Sequence, residues 1–169
     1  EYFIINYDLN YSIFRISNIY GELQDTSKGL GLINTVLEKI IANTPPVVFG
    51  DGSTVRNYIY VKDVVRALML SSKSNFEKSE EYNLASNDTL SINEILNIIN
   101  KTTSESFKVE YISSRKSDHE IVAISNKKFL KNYPKFKFTN LKEGIKNIHL
   151  DRKPVLVCRR AVAKLNSSP

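Results

Sequence analysis

Residues 46–70 read PVVFGDGSTVRNYIYVKDVVRALML, and this run decides the fold. Val47-Val48-Phe49 has the branched and aromatic content of a short strand. Gly50-Asp51-Gly52-Ser53 reads as a turn, because glycine adopts positive φ at little cost. Asn57 to Val61 alternates as a second strand. Lys62 to Leu70 has helical spacing, with Val61, Val64, Val65 and Leu68 on one stripe. Asp63, in the first turn of that helix, suits the helix dipole. Strand, turn, strand and helix in one run set an α/β reading. Arg56 stands between the turn and the second strand, where a guanidinium can hold a phosphate by paired hydrogen bonds. Taken alone, an ion-pair partner is its more ordinary role.

Upstream, Tyr11 to Ile16 (YSIFRI) has strand character, and its near-continuous hydrophobicity suggests a strand covered on both faces, as in a parallel sheet. Asn18-Ile19-Tyr20-Gly21 leaves the carboxyl end of that strand. Open α/β sheets bind ligands at such ends, which makes Asn18 a candidate site residue. Residues 22–31 read as a loop. Leu32 to Ala42 has helical periodicity and Pro45-Pro46 stops it. Tyr2 to Tyr7 begins abruptly and reads as the end of a helix whose beginning is missing. The start, EYFIINYDLN, lacks the basic leader of a signal peptide.

Downstream of a polar connector at 71–80, Tyr82 to Leu84 is a short strand. Ser91 and Glu94 have capping-box spacing ahead of a helix running to about Lys101. Phe107 to Ile112 alternates as a strand. Ser113 to Asp118 is a polar loop that sets Arg115 and Asp118 close together; Arg115 is the second candidate anion ligand. Ser125 starts a helix through Lys131. Asn140 and Glu143 repeat the capping spacing before a last helix with Leu141, Ile145 and Ile148 on one face. From Asp151 the style changes, and 151–169 is a tail of unclear status.

The 169 residues suffice for one compact domain, and 41% of them are hydrophobic. No apolar run approaches the ~20 residues that span a bilayer, so no membrane partner is expected. Cys158 alone excludes an intramolecular disulfide framework and fits a reducing, cytoplasmic setting. His119, His149 and Cys158 have no metal-ligand spacing. The net charge is +6. Lys127, Lys128, Lys131, Lys135 and Lys137 fall among Phe129, Tyr133, Phe136 and Phe138, a mixture that can bind single strands. A solvated helix face over core aromatics is the favoured reading, and no specific nucleic acid is expected. Neither a Ser-His-Asp arrangement nor GxGxxG nor GxxxxGK is present.

The succession FRISNIYGE, KGLGLINTVLEKI, PPVVFGDGSTVRNYIYVKDVVRAL, YNLASNDTLSINEIL and RKSDHEIVAISNKKFL resembles the carboxyl-terminal half of the NAD-dependent nucleotide-sugar epimerases and dehydratases. These are extended short-chain dehydrogenase/reductases and include UDP-glucose 4-epimerase. The resemblance covers about residues 1–148, and GDGSxVRxYIYVxDVVRA is its most specific block. KGLGLINTVLEKI is closest to bacterial surface-polysaccharide epimerases.

The resemblance implies the carboxyl-terminal part of a Rossmann-type fold with the small substrate-binding subdomain. Residues 1–150 would form the substrate-binding half. It implies that Asn18, Arg56 and Arg115 contact the diphosphate or ribose of a nucleotide-sugar. Val47 and Phe49 would flank the base, with Asp118 at the ribose end. Ile16 and Ser17 would lie near the nicotinamide of NAD, with NADP as the alternative. The full-length protein would be a homodimer that epimerises an NDP-hexose at C4 through a transient keto-sugar.

Asn57 stands where such proteins often have Asp, and Ser117 where they often have Gly. The glycine-rich cofactor loop is absent, and the catalytic Tyr-x-x-x-Lys pair is missing from its expected place. No catalytic residue is therefore expected in this chain, which would be inactive alone. A dehydratase or reductase of the same family, or a non-catalytic nucleotide-sugar-binding module, are the alternatives.

Overall fold

The computed structural model describes residues 10–27, 29–73, 79–114 and 121–151. The elements are β1 (Ser12–Ile16), β2 (Asn18–Tyr20), α1 (Leu32–Ile41), β3 (Val47–Phe49), β4 (Val55–Tyr60) and α2 (Val61–Ser72), then β5 (Glu80–Leu84), β6 (Thr89–Ser91), α3 (Ile92–Thr103), β7 (Glu110–Ile112), β8 (Ile121–Val122) and α4 (Lys127–Asn132). A last helix, α5, occupies 141–151. The helix expected before Asn10 and the tail after Asp151 lie outside the described residues.

Most strand pairs are parallel, as the α/β pattern requires. β1 runs beside β5, β2 beside β4, β3 beside β7 and β8 beside β4, whereas β6 joins β4 antiparallel. The expected strand over 57–61 begins two residues earlier and ends at Tyr60, because Val61 already opens α2. Asn57, Tyr58, Ile59 and Tyr60 are all buried, so the alternation separates two cores rather than core from solvent. Tyr58 and Tyr60 pack with α1, α3 and α5 through Val36, Ile95, Ile99 and Ile145. Ile59 packs on the other side with Val64, Tyr82, Leu84 and Phe129.

The lysine-aromatic mixture resolves into solvated cations over core rings. Phe129 is fully buried, with Tyr133 at 4.9 Å and Phe136 at 5.1 Å between ring centroids. Lys127, Lys128 and Lys131 are exposed.

Four expectations need correction. The stripe on α2 is displaced: Asp63, Val64, Ala67 and Ser71 are buried, whereas Val65 and Leu68 are exposed. Asp63 turns inward because Thr139 donates to it through its backbone N–H (2.7 Å) and its hydroxyl (2.9 Å). The strand expected over 107–112 is formed only at 110–112; Phe107 and Val109 pack against the core. β1 is not covered evenly: Ile13 is exposed while Phe14 and Ile16 are half-buried. The helix expected from Ser125 has Asn126 as its N-cap and begins at Lys127.

Local signals hold elsewhere. Gly50 and Gly52 each have φ of 77°, which suits the turn. Asn93 secures that turn, donating its backbone N–H to Gly52 O (3.1 Å) and its Nδ2 to Asp51 O (2.9 Å). The box at Ser91 and Glu94 is complete. Asn140 Oδ1 accepts from Glu143 N–H at 2.9 Å, capping α5.

Candidate functional site

β4 lies at the centre of the site because both its edges are paired. On one edge, Asn18 of β2 is in register with Tyr58. Arg56 stands between Leu90 of β6 on one edge and Val122 of β8 on the other. Side chains two apart share a face of a strand, so Arg56 and Tyr58 point the same way.

A cleft of ≈ 400 Å³ opens beside this face, lined by residues that include Ser17, Asn18, Gln24, Gly31, Leu32 and Tyr58. β1 and β2 deliver Ser17 and Asn18 from a strand end. α1 delivers Gly31 and Leu32 at its N-terminus, which has no acidic residue in its first turn and no side-chain cap. An amide-rich helix start of this kind favours an anion. The loop before α1 is held in place by Asn34, whose buried amide bonds both backbone groups of Gly21.

The polar groups of the cleft have defined orientations. Asn18 Nδ2 donates to Asn57 O at 3.0 Å, which turns the amide nitrogen toward β4. Ser17 donates its backbone N–H to Leu84 O at 3.0 Å. Its buried Oγ has no hydrogen-bond partner among the described residues. Arg56 is half-buried, and its Nη1 donates to Val55 O at 2.7 Å. Burial pushes the Tyr58 phenol up to about 12, with the Arg56 charge pulling it back. Burial also raises Tyr20, and the Asp63 carboxylate adds to this. Both phenols are therefore protonated at neutral pH and able to donate hydrogen bonds.

The sequence spacing Tyr-x-x-x-Lys does occur at Tyr58 and Lys62, yet the structure breaks that pair up. Tyr58 sits in β4, whereas Lys62 on α2 places its Nζ 2.7 Å from Glu22 and over the Tyr60 ring at 5.6 Å.

The structure brings Ser17, Asn18 and Tyr58 into one cleft and sets Arg56 on the same face of β4. Ile16 ends β1 and packs against the Phe129 core. Val47 and Phe49 stand on β3, on the face opposite buried Val48, with Val47 exposed and Phe49 half-buried. Arg115 and Asp118 lie outside the described residues. The described residues flanking them are placed: Ser114 lies 3.5 Å from where a Cβ on Gly50 would stand, and Ile121 is in register with Val55. Gln24, Gly31 and Leu32 were not anticipated. Among the described residues no group of side chains could hold a metal ion, and no helix is long and apolar enough to cross a membrane.

A family model described as the NAD-dependent epimerase/dehydratase family matches residues 1–85. The chain is 32% identical over 146 residues to a putative UDP-glucose 4-epimerase of Methanocaldococcus jannaschii, covering 84% of this chain and 45% of that protein. It is 33% identical over 110 residues to a dTDP-D-glucose 4,6-dehydratase of Mus musculus, covering 61% of this chain and 30% of that protein. Its fold superposes on the crystal structure of a UDP-glucose 4-epimerase from Thermotoga maritima with UDP-glucose. The TM-score is 0.80 at 28% identity, covering 91% of this chain and 50% of that one. The chain thus spans half or less of the length of these relatives.

Proposed function

The chain belongs to the NAD-dependent epimerase/dehydratase family, and within it we propose that this chain is the nucleotide-sugar-holding half of an NDP-hexose 4-epimerase. The observation that carries this reading is the placement of Arg56, on the same face of β4 as Tyr58 and one strand from Asn18, beside a cleft with an uncapped helix N-terminus. A diphosphate suits that setting: a guanidinium, an oriented amide and helix N–H groups all favour negative charge.

In this reading Asn18 and Arg56 hold the diphosphate or ribose, joined by Arg115, with Asp118 at the ribose end. Val47 and Phe49 form an apolar flank for the base. Ile16 and Ser17 border the nicotinamide, and the buried Ser17 Oγ, which has no hydrogen-bond partner among the described residues, suits one hydrogen-bonding edge of that ring's carboxamide. When bound, NAD supplies the hydride acceptor for transient oxidation of the sugar. The residues of this chain orient the sugar nucleotide and contribute no acid or base. The full-length protein works as a homodimer. A dehydratase or reductase reaction is the second reading, favoured by the dehydratase among the relatives.

The test is a comparison of binding with turnover. The chain should bind UDP and UDP-glucose in a titration yet leave UDP-glucose unchanged when NAD is added. Turnover of UDP-glucose by the chain would contradict the division of roles.

A further inference from the structure

Tyr58 carries a hydroxyl that the fold does not use. Its side chain lines the cleft beside Ser17, Asn18, Gly31 and Leu32, and the residue is only 8% exposed. Among the described residues no group hydrogen-bonds its Oη. Three other phenols spend theirs on the protein: Tyr60 donates to Glu22 Oε1, Tyr111 donates to Asn93 Oδ1 at 3.0 Å, and Tyr82 accepts from Asn132 Nδ2 at 2.7 Å. Ser17 is also 8% exposed, and its Oγ likewise lacks a partner among the described residues. A buried hydroxyl without a hydrogen bond costs stability, so two of them on one cleft mark a place for a ligand.

The surroundings select the chemistry of that ligand. Asn18 is the register partner of Tyr58; its Nδ2 spends one N–H on Asn57 O and keeps a second. Ten-residue α1 opens on the same cleft at Gly31, with no side-chain cap and no acidic residue in its first turn. Arg56 is near enough for its charge to act on the Tyr58 phenol, which burial keeps protonated. Donors and positive charge thus surround the hydroxyl, and an oxygen-rich anion is the group they suit. Toward such an anion a protonated phenol donates.

We propose that the Tyr58 hydroxyl is a ligand-binding group of the cleft, donating its hydrogen bond to a phosphate oxygen of the bound nucleotide-sugar. The proposal rests on the reading of this site as a nucleotide-sugar site. It separates binding from stability at a single atom. Tyr58→Phe removes a donor that only the ligand uses and leaves the ring packed with Val36 and Ile95. Tyr60, two residues along the same face, is the reverse case: its hydroxyl is bonded to Glu22 and belongs to the fold.

The experiment titrates UDP and, separately, pyrophosphate into the whole chain by calorimetry, for wild type, Tyr58→Phe and Tyr60→Phe, with a thermal unfolding scan of each. Tyr58→Phe should lose roughly tenfold in affinity for both ligands, the order of one hydrogen bond to a charged group. Its thermal midpoint should equal or exceed that of wild type. Tyr60→Phe should do the opposite, with a lower midpoint and an affinity near that of wild type. Unchanged affinity in Tyr58→Phe overturns the proposal and leaves the nucleotide-sugar reading intact. A Tyr58→Phe that unfolds below wild type, or does not fold, also overturns it, since the hydroxyl would then be bonded within the protein. An equal loss of affinity in Tyr60→Phe overturns it too, because the effect would belong to the whole face. If wild type binds pyrophosphate but not UDP, the nucleotide-sugar reading fails, and pyrophosphate affinity in Tyr58→Phe alone decides whether the hydroxyl holds an anion. If wild type binds neither, both fall.

Discussion

Asn34 on α1 grips the peptide of Gly21 from both sides: its Oδ1 accepts Gly21 N–H at 3.3 Å and its Nδ2 donates to Gly21 O at 2.6 Å. Gly21 cannot carry a side chain there, because a Cβ would stand 2.2 Å from Val61 Cγ1. The end of β2 is thereby pinned between α1 and the first residue of α2, and the cleft takes its shape from that pin. Asn34→Ala leaves a buried N–H and a buried C=O unpaired, which costs about 3 kcal/mol. Urea unfolding should place Asn34→Ala well below wild type; equal midpoints would mean that Asn34 does not pin Gly21.

Gly144 lets α5 approach Tyr20. A Cβ at 144 would lie 2.4 Å from Tyr20 Oη and 2.8 Å from its ring. Alanine is the better helix former by about 1 kcal/mol, but forcing it against a buried ring costs about 1–3 kcal/mol. Gly144→Ala should therefore lower the thermal midpoint. Tyr20→Phe removes the nearest atom, so the double variant should recover part of the loss, which a double-mutant cycle reads directly. A stabilised Gly144→Ala would show that the two elements do not meet closely.

Glu22 makes stability depend on acid. Burial pulls its carboxyl upward, but hydrogen bonds from Lys62 and Tyr60 outweigh this and hold it below the ordinary 4.5. A carboxyl depressed in the fold contributes stability that is fully present above its unfolded value and is lost as pH falls through the folded one. Wild type should exceed Glu22→Gln in thermal midpoint at neutral pH, and the gap should close below about pH 4.5. A gap that stays constant down to pH 3 would contradict the ion pair.

The central run was legible because its signals are local. The turn at Gly50 and Gly52 and the caps at Ser91 and Asn140 are decided by residues within four positions, and the structure has them where expected. The buried side of α2 was not legible. Its orientation is set by Asp63 reaching Thr139, 76 residues away, and apolar periodicity gives no weight to a buried carboxylate. β2, β6 and β8 have three, three and two residues, too few for any pattern to declare. Asn18 could be picked out because a strand end is a ligand-binding place in any open α/β sheet. Gln24, Gly31 and Leu32 could not, since the loop and the start of α1 reach the cleft through contacts such as Asn34 with Gly21 and Gln24 Nε2 with Ile19 O, which no local pattern announces. Asn57 reads in the sequence only as a departure from the family pattern, because its side-chain partners lie 31, 32 and 67 residues away.

This half-length chain is expected to hold a nucleoside diphosphate through Arg56. Calorimetric titration of the chain with UDP, wild type beside Arg56→Ala, measures that directly. The predicted result is one-site binding by wild type, weakened roughly tenfold or more in Arg56→Ala. Absence of binding by wild type, or equal affinity in the two proteins, would contradict it.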